Sequence, residues 1–164
     1  MDVETRPATR GDLEAILAVE RASFPAPWSR DALAAELQGD PRRMPMVAVH
    51  AGKVVGFALV WVIADEVHLV NLAVLPDHRR RGIAQQLLDA VLDTEAGRRA
   101  AIMTLEVRVG NDEAIAFYRR NGFVDVAFRP RYYPDTHEDA LVMLKPLRER
   151  RADPGGRGSG PGRN

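Results

Sequence analysis

A segment rich in arginine and glycine, HRRRGIAQ (78–85), follows a strand-like run and precedes the clearest helical pattern of the sequence. Gly82 and the small Ala84 allow backbone N–H groups to approach a ligand closely. A helix N-terminus carries about half a positive charge, and the three arginines at 79–81 add more. The combination suits a pyrophosphate. A solvated run of arginines before an ordinary helix has the same composition, so the segment by itself leaves both interpretations open.

Other catalytic and metal chemistries find little support in the composition. The chain contains no cysteine, which excludes a thiolate metal site, a cysteine nucleophile and a disulfide framework. The arginine–glycine segment is neither a Walker motif nor a GxGxxG motif. The histidines, at positions 50, 68, 78 and 137, are scattered over strands and loops, so we expect no bound metal.

Hydrophobic periodicity and turn residues predict one mixed sheet. Strand patterns cover residues 2–6, 46–50, 53–63, 66–75, 101–109, 123–130 and 138–147. Helices are predicted after the caps Thr9, Ser29 (ended by Gly39) and Asn111, and over 82–96 (ended by Gly97); tight turns are predicted at Ala51-Gly52 and Asp65. The order β-α-α-β-β-β-α-β-α-β-β predicts an α/β (α+β) fold, with a mixed, mostly antiparallel sheet and helices on both faces.

Length and charge indicate one folded domain over residues 1–147 and a tail over 148–164. The tail is rich in Gly, Pro and Arg, has almost nothing apolar to bury, and is predicted to be disordered. Without it, 18 basic residues face 21 acidic ones, a net charge of −3 that argues against specific nucleic-acid binding. Because the chain shows no apolar leader, no apolar run of membrane-spanning length and no cysteine, we expect a cytoplasmic protein with no membrane partner.

Two segments in the right order give the chain a family resemblance. RRRGIA (79–84) resembles the R/Q-x-x-G-x-G/A signature of the Gcn5-related N-acetyltransferases (GNAT), and NLAVLPDHRR (71–80) looks like that family's fourth strand and its turn. About thirty residues later, NDEAIAFYRRNGF (111–123) is similar to the family's N-x-x-A-x-x-x-Y-x-x-x-G-F segment. The joint match covers roughly residues 1–147 and implies the GNAT acetyltransferase fold.

Four further segments resemble the RimI-like ribosomal-protein alanine N-acetyltransferases within that family. They are FPAPWS (24–29), LEVRVGN (105–111), RYYPD (131–135) and EDALVM (138–143). In that group the glutamate of LEVR acts as base, directly or through a water, and the tyrosine of the FY pair acts as acid. These map onto Glu106 and Tyr118. The resemblance therefore implies acetyl transfer to a protein N-terminal amine, with an alanine of a small-subunit ribosomal protein as the expected acceptor.

The resemblance also implies which residues bind acetyl-CoA as cosubstrate. Leu72 and Ala73 would pair with the pantetheine arm as an added strand does, and a backbone N–H near Val74 would stabilise the oxyanion. Asn111 would contact the cosubstrate near the thioester. The residues implied for the pyrophosphate are Arg79, Arg80, Arg81, Gly82, Ile83, Ala84 and Gln85.

Several alternatives stay open at the level of the sequence. The acceptor could be a lysine side chain or a small-molecule amine, with the fold unchanged. A CoA-binding module without turnover is a further alternative, against which the intact Glu106–Tyr118 pair argues. Trp28, Tyr132 and Tyr133 could line a peptide groove or belong to the core. The basic tail could act as a weak ribosome tether.

Overall fold

The computed structural model describes residues 2–147, so the predicted disordered tail (148–164) lies outside the described residues. Within them, seven strands form one sheet in the order β1-β2-β3-β4-β5-β7-β6. The strands are β1 Glu4–Pro7, β2 Met46–His50, β3 Lys53–Ile63, β4 Glu66–Val74, β5 Ile102–Arg108, β6 Val124–Arg129 and β7 Ala140–Pro146. β4 and β5 pair in parallel and all other neighbours pair antiparallel, which confirms the predicted mixed sheet.

Helices cover both faces of the sheet, as predicted. They are α1 Leu13–Ser23, α2 Arg30–Ala35, α3 Ile83–Asp93, α4 Glu95–Arg99 and α5 Asp112–Arg120. α3 and α5 pack on one face, in a core that includes Leu87 and Met103, and α1 and α2 pack on the other, around Leu17 and Phe57. Every helix within residues 2–147 is too short or too polar to cross a bilayer.

Local signals in the sequence account for most turns and helix starts. Ala51 and Gly52 both have positive φ, 52° and 76°, which is the backbone geometry of a tight two-residue hairpin. Asp65 lies in the turn between β3 and β4. Ser29 Oγ accepts the Ala32 N–H at 3.1 Å and Asn111 Oδ1 accepts the Ala114 N–H at 3.2 Å, so both predicted N-caps are confirmed.

Two predicted helix ends are wrong. The second helix ends at Ala35 rather than at Gly39, because its last N–H groups bond to carbonyls three residues back and tighten the turn. The helix predicted to end at Gly97 ends at Asp93. Thr94 Oγ1 accepts the Gly97 N–H at 3.1 Å and starts α4, which contains Gly97. A Cβ at Gly97 would collide with the backbone at the end of α3, so glycine there permits close packing.

The entry into α1 is fixed by Asp12, whose side chain is largely buried. The predicted N-cap Thr9 donates its backbone N–H to Asp12 Oδ2 at 2.8 Å, and Arg6 donates to both carboxylate oxygens at 2.9 Å. The Arg6 guanidinium, followed by the Thr9 N–H, holds the pKa of Asp12 below its ordinary value. One carboxylate thus joins β1 to α1.

We expect Asp12→Asn to lower the free energy of unfolding at neutral pH by about 1–3 kcal/mol, since a charge-assisted pair and a cap are lost together. The folded-state pKa is lowered, so this stability is present above the unfolded-state pKa of about 3.9 and is lost as pH falls through the folded-state pKa. Thermal melts at decreasing pH measure the difference, which should shrink toward acid.

The control is Asp31→Asn, an exposed acidic residue in the first turn of α2 that should change stability by less than about 0.5 kcal/mol. A difference between the wild type and Asp12→Asn that stays constant into strong acid would contradict the ion-pair explanation.

Candidate functional site

A wedge opens in the sheet between β4 and β5. The two strands run side by side over four residue pairs, of which Leu69–Leu105 is the last. Beyond it β4 continues to Val74 against β3, and β5 continues to Arg108 against β7. The strands therefore separate at their C-terminal ends, which is where ligands bind in open sheets with parallel strands.

A β-bulge at Val70 begins this separation. Asn71 lies opposite Leu59 and Leu69 lies opposite Val60, so β4 has one extra residue between two successive pairs. A bulge bends its strand and increases the local twist. The end of β4 consequently turns away from β5, and side chains after the bulge change face relative to those before it.

The backbone of β4 presents hydrogen-bond donors to the wedge. The Leu75 N–H donates to the Val55 carbonyl at 2.8 Å, and the direction of N–H groups alternates along an antiparallel ladder. The N–H groups of Leu72 and Val74 therefore point toward the wedge, whereas the N–H group of Ala73 points toward β3. No described strand pairs with this edge of β4 beyond the bulge.

A cleft of about 720 Å³ runs along the wedge between β4, the loop before α3 and α5. It brings together Tyr118 and ten of the eleven residues predicted to bind acetyl-CoA, namely Leu72, Ala73, Val74, Arg79, Arg80, Gly82, Ile83, Ala84, Gln85 and Asn111. Arg81 and Glu106 are not among the residues that line it.

The cleft also contains residues that the sequence analysis missed. They are Ser23, Phe24, His78, Glu113, Ala114, Ala116, Phe117 and Arg120. Helical spacing from Asn111 could have found Ala114 and Phe117. Ser23 and Phe24 come from the end of α1, and no local pattern connects that turn to β4.

The loop before α3 has the backbone geometry of an anion site. Gly82 is the N-cap with φ 83°, and Arg80 has φ 61°. The first intrahelical bond runs from the Gln86 N–H to the Gly82 carbonyl at 3.0 Å, so the N–H groups of residues 83–85 have no partner within the helix. A Cβ at Gly82 would meet no atom within 4 Å, and a phosphate bound to these amides would fill that open space.

The arginines of the loop take different positions. Arg79 donates from Nε to the Val74 carbonyl at 2.9 Å, which ties the loop to the end of β4. Arg80 is exposed, with Nη1 3.9 Å from Glu113 Oε2 on α5. Arg120 from α5 lines the same cleft. Three guanidinium groups therefore surround the mouth of the cleft and favour an anionic ligand there.

Tyr118 lies on α5 between two aromatic rings. Its ring centroid is 5.4 Å from that of Phe117 and 5.6 Å from that of Phe123, both in edge-to-face contact. The residue is 8% exposed and reaches the cleft. Burial, with a smaller contribution from Tyr133, raises the pKa of the phenol well above its ordinary value. Within residues 2–147 its hydroxyl has no hydrogen-bond partner.

Glu106 follows the last parallel pair on β5 and points to the opposite face of the sheet from the buried Leu105 and Val107. Oε2 accepts from Arg129 Nε at 2.9 Å, and Oε1 lies 3.4 Å from His68 Nε2. Sequence reasoning missed both partners, because neither the β4–β5 register nor the position of β6 can be read from local patterns.

Further polar groups lie on the Glu106 face. Arg108 forms a bidentate pair with Asp135 at 2.9 and 3.0 Å, and its Cζ lies 4.0 Å from the Tyr133 ring centroid. Burial raises the pKa of Tyr133 to about 12. Tyr132 is exposed, and Trp28 packs against the core beside α1. The described residues contain no cluster of three or more His, Asp or Glu side chains suited to a metal ion.

A buried carboxylate joins α1 to the bulge. Glu20 is 1% exposed and accepts the Asn71 side-chain amide at 2.7 Å and the Trp28 backbone N–H at 2.9 Å. Burial raises its pKa. These bonds fix the turn after α1 against β4 at the point where the wedge opens.

The sequence model of the acetyltransferase (GNAT) family matches residues 13–123. The chain belongs to the GNAT family. The [ribosomal protein bS18]-alanine N-acetyltransferase of Escherichia coli K12 is 38% identical over 138 residues, which is 83% of this chain and 92% of that protein.

Solved structures of GNAT enzymes share the fold. The crystal structure of the ribosomal-protein-S18-alanine N-acetyltransferase from E. coli superposes with a TM-score of 0.82 at 34% identity, over 89% of this chain and 94% of that one. Arabidopsis thaliana NAA60 in complex with acetyl-CoA gives a TM-score of 0.79 at 22% identity, over 88% and 99%. The second likeness shows the fold alone.

These comparisons confirm the predicted family, fold and cosubstrate. The chain is an acetyl-CoA-dependent N-acetyltransferase, as the GNAT family uses this cosubstrate. Its own residues fit that ligand: the open space at Gly82 and the free amides of the first turn of α3 suit a pyrophosphate, and the exposed edge of β4 suits the amides of a pantetheine arm.

We expect Gly82→Val to raise the Kd for CoA by at least about tenfold, or about 1.4 kcal/mol. A branched side chain is strained at φ 83° and would occupy the space next to the free amides. Calorimetric titration with CoA measures this.

Gly52→Val is the matched control, because Gly52 also has positive φ (76°) and open space around its Cβ but lies in the β2–β3 hairpin. Equal CoA affinity in folded Gly82→Val and wild type would rule out this loop as the phosphate site.

Proposed function

We propose that this GNAT enzyme acetylates the N-terminal amine of a protein, with an N-terminal alanine of a small-subunit ribosomal protein as acceptor. The observation that carries the proposal is that Tyr118 reaches the cleft from α5, while Glu106 lies on β5 just beyond the last β4–β5 pair, where the wedge opens. Two proton carriers so arranged suit a reaction in which an amine loses a proton and a thiolate gains one. Similarity to the E. coli bS18-alanine enzyme supports the acceptor, which would place the reaction in the cytoplasm.

The cosubstrate supplies an acetyl thioester, and the residues of this chain orient it. The N–H groups of residues 83–85 and the guanidinium groups of Arg80 and Arg120 would bind the pyrophosphate end. The Leu72 backbone would pair with the pantetheine arm. The Val74 N–H would donate to the thioester oxygen, where negative charge develops during transfer, and such a donor is typically worth about 10²–10³ in rate.

Tyr118 would act as the acid. Because burial raises its pKa, the phenol keeps its proton throughout the working pH range. A thiol of ordinary pKa, about 8.5, leaves as a much weaker base than a phenolate, but a neighbouring hydroxyl still stabilises it by sharing a proton. The hydroxyl has no competing partner in residues 2–147, which leaves it available to the leaving sulfur.

Glu106 would act as the base for the acceptor amine, directly or through one water. It lies at the point where β4 and β5 part, so an amine that enters the wedge from this face approaches it first. Arg129 holds Oε2, which leaves Oε1 on the side of His68. The intact pair of Glu106 and Tyr118 argues against a CoA-binding module without turnover.

The acceptor side offers aromatic and charged groups for a peptide. Tyr132 is exposed, and Tyr133 is fixed by its contact with Arg108, so both are available near the Glu106 face. Acetylation of a lysine side chain or a small-molecule amine is the alternative that keeps the same fold. We include residues 148–164 in the proposal as a weak electrostatic tether to ribosomal RNA, separate from an acetyltransferase domain over 1–147, on the basis of their five arginines.

Tyr118→Phe should lower kcat by about 10²-fold while the Kd for CoA stays unchanged, because the ring still packs and only the proton donor is lost. Single-turnover kinetics and calorimetry measure the two quantities separately. A melting temperature equal to that of the wild type shows that packing survives. Unchanged kcat would reduce Tyr118 to a packing residue.

The acceptor class is tested with two peptides of one sequence, one with a free N-terminal alanine and no lysine, the other N-blocked with an internal lysine. An α-amine titrates near pH 8 and a lysine near 10.4, so at neutral pH the first is neutral roughly 200 times more often. We expect kcat/KM for the first peptide to be at least about tenfold higher.

Raising the pH should narrow the gap, because the lysine gains neutral form after the α-amine is already deprotonated. An equal or faster reaction of the lysine peptide would replace the N-terminal proposal by the side-chain alternative.

A further inference from the structure

We propose that His68 is a positioning residue that acts through Glu106. His68 accepts from Glu106 the proton that Glu106 has taken from the acceptor amine, and His68 then releases this proton to solvent. This inference rests on the proposed role of Glu106 as base. His68 lies on β4 outside every segment that carries the family resemblance, and its place in the site follows from the contacts below.

The parallel pairing of β4 and β5 brings His68 next to Glu106. His68 lies opposite Thr104 in the ladder, so Glu106 is two residues further along the same face of β5. His68 Nδ1 lies 2.6 Å from Thr104 Oγ1, and Nε2 lies 3.4 Å from Glu106 Oε1. Catalytic hydrogen bonds are often this long before substrate binds and then shorten.

The hydrogen-bonding capacity of the three side chains suits transfer of one proton. Thr104 Oγ1 can accept from Nδ1–H whether the imidazole is neutral or protonated, so Nε2 is the atom free to gain and lose a proton. When Nε2 is protonated, it lies within ion-pair distance of Glu106 Oε1, at 3.4 Å. When Glu106 holds the proton instead, its carboxyl group can donate toward the Nε2 lone pair, so one proton can pass between the two side chains with no rotation of the ring.

Exposure favours the direction of transfer from Glu106 toward His68. The His68 side chain is 23% exposed and that of Glu106 15%, so His68 has the better access to bulk water. Arg129 on β6 donates to Oε2 of Glu106, so Oε1 is the oxygen that faces His68. The Trp61 ring on β3 lies 6.4 Å from the imidazole, and Tyr133, before β7, carries a neutral phenol at working pH.

Protons balance over one turnover. The acceptor ammonium gives one proton to Glu106 Oε1, which passes it to His68 Nε2 and returns to a carboxylate, and His68 releases it to water. After the amine nitrogen bonds to the acetyl carbon and the carbon–sulfur bond breaks, the second nitrogen proton leaves by the same route. The leaving sulfur shares the Tyr118 proton and takes one proton from water to become the thiol, so Tyr118 ends the cycle as a phenol. One proton is released in net terms for each ammonium acetylated.

The first test is chemical rescue of His68→Ala. We expect kcat of the variant to be about 10²-fold lower than that of the wild type. Added imidazole should raise kcat of the variant about tenfold, since the truncated side chain leaves a partly exposed space beside Glu106. The pH profile of kcat should also differ between wild type and variant, because the variant lacks the group that passes the proton from Glu106 to solvent. His50→Ala, a histidine of β2 bonded to the Asp2 carbonyl, should show neither effect.

The second test needs no turnover. The NMR signals of the His68 ring should move when Glu106→Gln replaces the carboxylate 3.4 Å from Nε2, and those of the His50 ring, which contacts the Asp2 carbonyl instead, should stay unchanged. This measurement also applies if His68→Ala fails to fold, in which case His68→Gln replaces it in the kinetic experiment.

Three results would overturn the proposal: wild-type kcat and pH profile in His68→Ala, a slow variant that imidazole does not rescue, or His68 ring signals that do not respond to Glu106→Gln. All kinetic measurements use whichever of the two peptides the wild type acetylates faster. Failure of the N-terminal preference therefore leaves this test intact, whereas wild-type activity of Glu106→Gln would remove the base itself.

Discussion

The hydrogen-bonded ladder between β4 and β5 ends in the middle of the sheet, and the site is built around that ending. Unpaired backbone groups in a central strand are costly unless something else binds them. Here the other edges of β4 and β5 remain paired with β3 and β7, so both walls of the wedge are held while the space between them stays open. The exposed edge is thereby ready for the polar groups of an extended ligand, which meet their partners without rearranging the fold.

Buried carboxylates stabilise the Glu106 face of the sheet around this opening. Glu20 accepts two neutral donors, one of them from Asn71 next to the bulge. Glu36, which is 3% exposed, accepts from Arg43 at 2.7 Å and from the indole of Trp61 at 2.9 Å. Removing one partner of such a buried charge is strongly destabilising, so these networks confine α1, α2 and the start of the wedge to one arrangement.

Local signals in the sequence sufficed for most of the fold. Period-two alternation located Met103 and Leu105 on the core face of β5, and cap chemistry located the start of α5 at Asn111. The failures are tertiary in origin. Gly97 resembles a helix stop, yet the backbone of the preceding helix leaves no room for a side chain there, a fact that only packing determines.

The candidate site divides in the same way. Residues consecutive in sequence, from Arg79 to Gln85, form the loop before α3 and its first turn and could be predicted from the motif, although Arg81 does not line the cleft. Contacts between strands could not be predicted in this way, because the partners of Glu106 depend on the β4–β5 register and on the pairing of β6 with β7. His68 and Arg129 come from segments about forty and twenty residues away from Glu106 in sequence, and nothing in their local pattern indicates that they meet it.

The bond from Arg79 Nε to the Val74 carbonyl has a consequence for how the enzyme uses its cosubstrate. Arg79 belongs to the loop that we propose binds the pyrophosphate, whereas Val74 is one of the two residues of β4 whose N–H groups face the wedge. A ligand that orders the loop therefore also orders the last residue of β4. Binding energy from a part of the molecule that takes no part in bond making can in this way be used to align the reacting end. With a shortened acetyl thioester that lacks the nucleotide, the enzyme would show a lower kcat as well as a lower affinity, since no bound group would then order the loop and the end of β4 together.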